Sequence, residues 1–518
     1  MSSNRNLYLA ASVACLTAAL FGYSVGFIGG ILVLPSFLHH FGLDSLDPDG
    51  LASATSGTVS IWLLGALLGV PAGMPVCSRL GRRACLNLSA VMYCIGVAMQ
   101  LVDIQSLLLF DAGRFVNGLG VGAGTLASPM TNSIAEISTP EARGMLLSGY
   151  QTVLQLGALL GFWAAFAAHA LFPDSSSVQW QLPVAVQLVP GVCLLLGTLC
   201  IPESPALLAS HRRWDAAHDA LAWLRVLPKT DALVQGELEK LQQASVVANV
   251  AQKKRSGFWS EIRKPDLRKR LAVGIGLMIG QNMMGLNALN YYAPKVFMSA
   301  GFTSVSASLF LTGIFGLIKL VSALAFMFVF VGSKGNRFWL RLGSAVCGVA
   351  MVVLAVCKSL RFETTDVASS AINPYGMVAI LMVYVFAFFF GLSLGPLSWN
   401  ICSEIFPTSV KAECCAITTC TQWLFQIVIA GITPYLLSRV GWGMYLVYAV
   451  CCVLTFVGVQ FGVPETQGVP LGAEMDKLFG VETSVEHSPE VIEEVSETTA
   501  LLGQGRSERI RRGSIGYV

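Results

Sequence analysis

Four uncharged amides stand close together in an otherwise apolar run. They are Gln281, Asn282, Asn287 and Asn290, within Gln281-Asn-Met-Met-Gly-Leu-Asn-Ala-Leu-Asn-Tyr-Tyr292. An amide both donates and accepts hydrogen bonds, and one left without a partner in an apolar medium costs roughly 2–7 kcal/mol. The chemistry open to such side chains is recognition, with hydroxyl groups as the matching partners. A bond between neighbouring helices would account for one amide; four of them point to a polar cavity. Asn287 lies about one and a half turns beyond Gln281, and Gly285 between them lets the helix bend or break. The stretch reads as a bent helix showing its amides to a hydroxyl-rich solute.

The element carrying these residues is a membrane span. Charged residues make up 12% of the chain and hydrophobic ones 54%, about half the charge of a soluble domain. Twelve segments are long enough to cross a bilayer. They run over 8–34, 53–77, 85–102, 106–130, 144–170, 181–201, 271–299, 304–332, 338–358, 374–402, 411–437 and 441–462. The first is too long for a cleavable signal peptide. The fold class expected is therefore all-α, with a charged interval at 203–270 read as short amphipathic helices, clearest over Trp214 to Leu227. The division expected is a six-helix half over 1–202, this linker over 203–270, a second half over 271–463, and a largely disordered tail over 464–518.

Positive charge sets the orientation. Arg79, Arg82 and Arg83 follow the second span, Lys334, Arg337 and Arg341 the eighth, and Arg268, Lys269 and Arg270 close the linker. The loop 35–52 has three aspartates and no Lys or Arg. Both termini and the linker are expected on the cytoplasmic face.

Matched motifs indicate a duplication. Ser-Arg-Leu-Gly-Arg-Arg (78–83) corresponds to Ser-Lys-Gly-Asn-Arg (333–337), Glu136 through Arg143 to Glu404 through Lys411, and Pro202-Glu203 to Pro464-Glu465. Each pair occupies the same place in its half. Together they suggest two pseudo-symmetric halves, with cytoplasmic ion-pair latches between helix ends.

The 14 cysteines are scattered, mostly within apolar runs, as small hydrophobes rather than as a disulfide or metal framework. The net charge of +3 gives no reason to expect nucleic acid as a partner. Nucleophile–base pairs and metal-spaced clusters are missing, so neither an enzyme nor a cofactor is expected. Arg114 and Lys319 lie inside spans, where a charge costs on the order of 2.5–3.5 kcal/mol by insertion scales. Arg114 sits in the outer third of its span and is expected to reach the interface or steady the first helix. Lys319 is deeper, near the middle of the eighth.

To about residue 472 the chain resembles the sugar porter branch of the major facilitator superfamily. The resemblance rests on an ordered set of motifs: Gly22-Tyr-Ser-Val-Gly26, Gly81-Arg-Arg83, Gly113-Arg-Phe115, Glu136 through Arg143-Gly144, Pro202-Glu-Ser-Pro205, the stretch 281–292, Gly395-Pro396 with Trp399, Ser403-Glu-Ile-Phe-Pro407 and Pro464-Glu-Thr466. Gly29 through Phe37 and Thr312 through Lys319 are most similar to fungal quinate-permease-like members. The resemblance implies the major facilitator fold and an alternating-access carrier. It places Gln151, Gln281, Asn282, Asn287 and Gln422 on substrate ligands and Trp399 on a tryptophan over the ring. Lys319 falls close to a polar position bordering the site. Arg82, Arg83, Arg114, Glu136, Arg143, Glu203, Arg337, Glu404 and Lys411 fall on gating or latch positions.

The expected substrate is a monosaccharide or related polyol, moved facilitatively or with protons through a lipid bilayer, the plasma membrane first. One alternative is a hydroxylated carboxylate of quinate or uronic acid type, which a buried Lys319 would suit. A lower alternative is a nutrient sensor. Ser24 stands where proton-coupled members carry Asp, which favours uniport over symport through another group such as Glu136. Ser78, Asn336, Ala206 and Gly391 also depart from the pattern. In the tail, Glu497 through Leu502 has the form of a dileucine sorting signal, and Arg511 through Ser514 that of a phosphorylation site.

Overall fold

A computed structural model describes residues 5–127, 140–253, 258–302, 304–363, 374–407, 410–469 and 473–480, with the backbone alone for 127, 140–147, 244–253, 259, 361–363 and 473. Glu136 and both tail motifs lie outside these residues. Twelve long helical passages run through the described chain. In the first half they are α1 (Arg5–Ile31), α2 (Pro48–Arg79), α3 (Arg82–Gln100), α4 (Leu107–Ala127), α5 (Pro140–Leu171) and α6 (Val178–Cys200). In the second they are α7 (Pro265–Met283 and Leu286–Ser299), α8 (Val305–Ala325), α9 (Asn336–Glu363), α10 (Pro374–Gly391 and Leu394–Glu404), α11 (Lys411–Arg439) and α12 (Gly443–Gly462). All but α3 and α4 carry windows apolar enough to cross a membrane. Between the halves the described residues form four further helices, Pro205–Ser210, Trp214–Arg225, Ala232–Lys253 and Phe258–Glu261.

Small residues set the helix spacing. A side chain at Gly22 would put its Cβ 1.9 Å from the Leu154 carbonyl oxygen, and one at Gly122 would lie 2.1 Å from that of Ala66. Backbones touch there because no side chain intervenes, so α1 is held against α5 and α2 against α4. The halves meet along α5 and α8, α2 and α11, and α1 and the second part of α7. At the end where α1 and α7 finish, His169 meets the Ser306 hydroxyl at 3.0 Å and Arg439 meets Asp49 at 2.8 Å.

The duplication appears in matched helix caps. Glu203 accepts the backbone N–H groups of Arg82 and Arg83 at 3.0 and 3.1 Å, and Glu465 those of Asn336 and Arg337 at 2.8 and 3.2 Å. Each carboxylate thus neutralises the positive end of a helix, α3 or α9. Gly81 and Gly335 make room for them: a Cβ at either would lie within 2.3 Å of the carboxylate. The expected latches therefore include acid-to-backbone contacts that charge counting could not separate from acid-to-Arg pairs. Arg337 also donates to the Gln460 carbonyl. Arg143 lies in the first turn of α5, Glu404 ends α10 and Lys411 begins α11.

Within the tail, residues 473–480 pack back against the second half. A short helix, Ala473–Leu478, brings Asp476 to Arg270 at the foot of α7, with N–O 2.6 Å and both side chains buried. Arg270 also donates to the Ile405 carbonyl at 2.8 Å, and Phe479 lies 4.7 Å below its guanidinium. Removing one partner of a buried pair costs about 3–5 kcal/mol, whereas an exposed pair is worth under about 1 kcal/mol. Asp476→Ala is expected to lower the thermal unfolding temperature of the purified protein markedly. Asp49→Ala, which breaks the exposed pair with Arg439, should leave it nearly unchanged. Equal shifts would contradict this ranking.

Candidate functional site

The seventh passage breaks where its glycine stands. Gly285 is left-handed at φ +98°, and a Cβ there would lie 2.8 Å from the Tyr448 ring. Glycine adopts this conformation without the steric penalty that other residues carry. The break swings Leu286 onward into a new helical segment, so Gln281 and Asn282 before it and Asn287 and Asn290 after it converge. α10 also breaks, at Ser393 (φ −133°, ψ −95°), which sets Gly395 and Trp399 beside α5.

These breaks frame a narrow cavity of about 50 Å3 between the halves, polar-lined but tighter than an open small-molecule site. All seven proposed substrate residues line it: Gln151, Gln281, Asn282, Asn287, Lys319, Trp399 and Gln422. The amides are joined into one network. Gln281 Nε2 and Asn282 Nδ2 both donate to Gln422 Oε1, at 2.6 and 2.5 Å. Asn287 Nδ2 donates to Asn282 Oδ1 at 2.6 Å, and Asn290 Nδ2 to Asn287 Oδ1 at 3.4 Å. Fully connected polar groups of this kind are costly to disturb, because each deletion strands another.

Lys319 ends the network. Its Nζ donates to Asn290 Oδ1 at 2.7 Å and lies 5.8 and 5.3 Å from the Phe162 and Phe315 rings. Among the described residues no carboxylate comes within ion-pair distance. Gly391 faces the same turn: a Cβ there would lie 2.0 Å from Ser322 Oγ and 3.8 Å from the Lys319 carbonyl oxygen. Trp399 is partly buried, lining the cavity on one side and packing on the other against Ala11, Cys15, Ala18 and Tyr150.

Three further amides line the cavity: Gln155, Asn290 and Gln426. Asn290 was visible in the polar stretch as a cavity amide, yet its role as the Lys319 partner was not. Gln155 and Gln426 follow Gln151 and Gln422 by four residues on the same helix faces, and that spacing was the signal for them.

Arg114 does not reach an interface. It is wholly buried on α4, its guanidinium 5.5 Å from the Phe27 ring of α1 and 5.3 Å from the Trp62 ring of α2. Cation–π contact replaces the hydrated surface expected for it, with Phe27 of α1 as one of its two rings. Ser24 lies near by, its hydroxyl 3.0 Å from that of Tyr93.

A family model described as "Sugar (and other) transporter" matches residues 10–479. Among curated relatives, a quinate permease of Neurospora africana is 32% identical over 487 residues, covering 93% of this chain and 90% of that one. A quinate permease of Emericella nidulans is 33% identical over 482 residues, covering 92% and 89%. A solved structure of the proton:xylose symporter XylE bound to 6-bromo-6-deoxy-D-glucose superposes with a TM-score of 0.76 at 24% identity, covering 92% of this chain and 100% of that one. The partially occluded inward-open xylose transporter XylE from E. coli gives 0.73 at 25% identity, covering 91% and 100%. The likeness supports the twelve-helix, two-half architecture.

Proposed function

Because this chain belongs to the sugar (and other) transporter family, we propose that its amide cavity carries a ring-sized hydroxylated solute across the membrane by alternating access. The single observation behind this reading is the cavity between the halves, lined by Gln151 of the first half and by a continuous amide network of the second. Gln151 comes from one half, and Gln281, Asn282, Asn287 and Gln422 from the other. A solute held by both would ride through as the halves rock. Amides would meet its hydroxyls, and Trp399 its apolar ring face.

Lys319 favours a carboxylate-bearing solute over the neutral sugar expected first. A buried cation whose protein partner is a neutral amide gains most from an anion brought by the ligand. The curated relatives named as quinate permeases support the same choice. Arg82, Arg83, Glu203, Arg337, Glu404 and Lys411, with Glu136 and Arg143, would serve as latches at the helix ends. The charge distribution supports cytoplasmic termini, and the plasma membrane is the proposed residence.

Uptake of labelled quinate and of neutral sugars into cells lacking their own carriers tests this reading. Saturable uptake of quinate is expected, and no uptake of any hydroxylated solute would overturn it. Ser24 has no proton to exchange near neutral pH, so uptake is expected to level off at equilibrium. Accumulation that collapses with a protonophore would contradict uniport.

A further inference from the structure

Two buried acceptors in the cavity have no donor. Gln155 is 4% exposed and Gln426 2%, and the Oε1 atom of each lacks a hydrogen-bond partner. Gln426 Nε2 is already given to Asn287 Oδ1 at 3.1 Å, so its amide is anchored with the oxygen left over. Gln155 lies on α5 in one half and Gln426 on α11 in the other, and both line the cavity. Buried acceptors without donors are costly and uncommon in folded proteins. Two in one cavity, from opposite halves, indicate that the donors arrive with the solute.

The chemistry of those donors is narrowed by Lys319. An ammonium-bearing solute would be repelled by the cation in the same cavity, which leaves neutral donors, and the hydroxylated solute of the carrier reading supplies them as O–H groups. We propose that Gln155 and Gln426 are a pair of solute ligands, one per half, each accepting from a different hydroxyl of the bound ring. This rests on the carrier reading and sharpens it: the solute offers an acceptor to Lys319 and hydroxyl donors on two edges. Closure around the ring satisfies both orphan oxygens only when both hydroxyls are present. A site built to bond a hydroxyl discriminates strongly against the analogue lacking it, because its own polar group is then stranded.

The test measures transport of whichever of quinate and xylose the wild type carries, against each of its mono-deoxy analogues. Gln155→Met and Gln426→Met keep the side-chain length and remove the acceptor. Each is expected to lower the ratio of maximal rate to KM for the parent solute at least about tenfold. Each should also erase discrimination at one hydroxyl, a different one for each variant. Variants that discriminate as the wild type does, or that lose discrimination at every hydroxyl alike, would overturn the proposal. Thermal stabilisation of the purified wild type by the same panel needs no variant. At least two analogues should stabilise it less than the parent, and equal stabilisation by all would overturn the pair. A wild type that carries no hydroxylated solute at all would sink the carrier reading itself. A transporting wild type with indifferent variants would sink this inference alone.

Discussion

Lys319→Gln is expected to cut transport of a carboxylate-bearing solute roughly 10- to 150-fold while sparing neutral ones. Glutamine keeps a donor for Asn290 Oδ1 on a side chain of similar reach, so the network end that Lys319 holds at 2.7 Å can survive. What disappears is the charge. A hydrogen bond to a charged group is worth about 1.5–3 kcal/mol, which corresponds to roughly 10- to 150-fold in the ratio of maximal rate to KM at about 1.4 kcal/mol per tenfold. Neutral solutes should change by less than a few-fold, or improve, since a buried cation no longer has to be accommodated. The comparison is made on one membrane preparation with quinate and xylose side by side. Equal effects on both, or none on either, would remove the charge role and return the neutral sugar as the better substrate.

The second large effect concerns Asn282, the hub of the network. Its Nδ2 reaches Gln422 Oε1 and the Met278 carbonyl, and its Oδ1 receives Asn287 Nδ2. Asn282→Leu fits the volume but strands Asn287 Nδ2 in a buried site. One orphaned group costs about 1–3 kcal/mol, and loosening Asn287 disturbs its contact with Gln426 as well. Transport is expected to be lost and the thermal unfolding temperature to fall. Adding Asn287→Leu should cost less than the two single changes summed, because the stranded donor is removed with its acceptor. A coupling of about 0.5–3 kcal/mol is the expected range for residues in one network. Strict additivity in thermal unfolding would show that the two amides do not act together.

The broad architecture was legible because the membrane imposes it. Apolar runs of the right length admit only helices, and inside charges repeat in step with the duplication. Gln281, Asn282 and Asn287 stood out for the same reason, as amides where hydrocarbon was due. Gln155 and Gln426 were harder to see, since each lies in a helix whose polar face shows only when the four-residue spacing is followed from Gln151 or Gln422. Arg114 misled in part, because its depth along α4 carries no information about Phe27 and Trp62 on other helices. The helix 473–478 was lost in a polar segment, where composition records the charge of Asp476 but not the buried Arg270 waiting at the foot of α7. Glu203 and Glu465 were found in register, yet their partners are backbone N–H groups, which sequence cannot distinguish from neighbouring arginines.

Counterflow with purified protein in liposomes tests the central claim most directly, since no other carrier, gradient or metabolism is present. Vesicles are loaded with unlabelled quinate and diluted into a trace of labelled quinate. The label should enter transiently above equilibrium, and Asn287→Leu, which removes a cavity ligand, should remove that overshoot. A flat trace with quinate and with neutral sugars alike, from protein that is folded and inserted, would contradict carriage of a hydroxylated solute through the amide cavity.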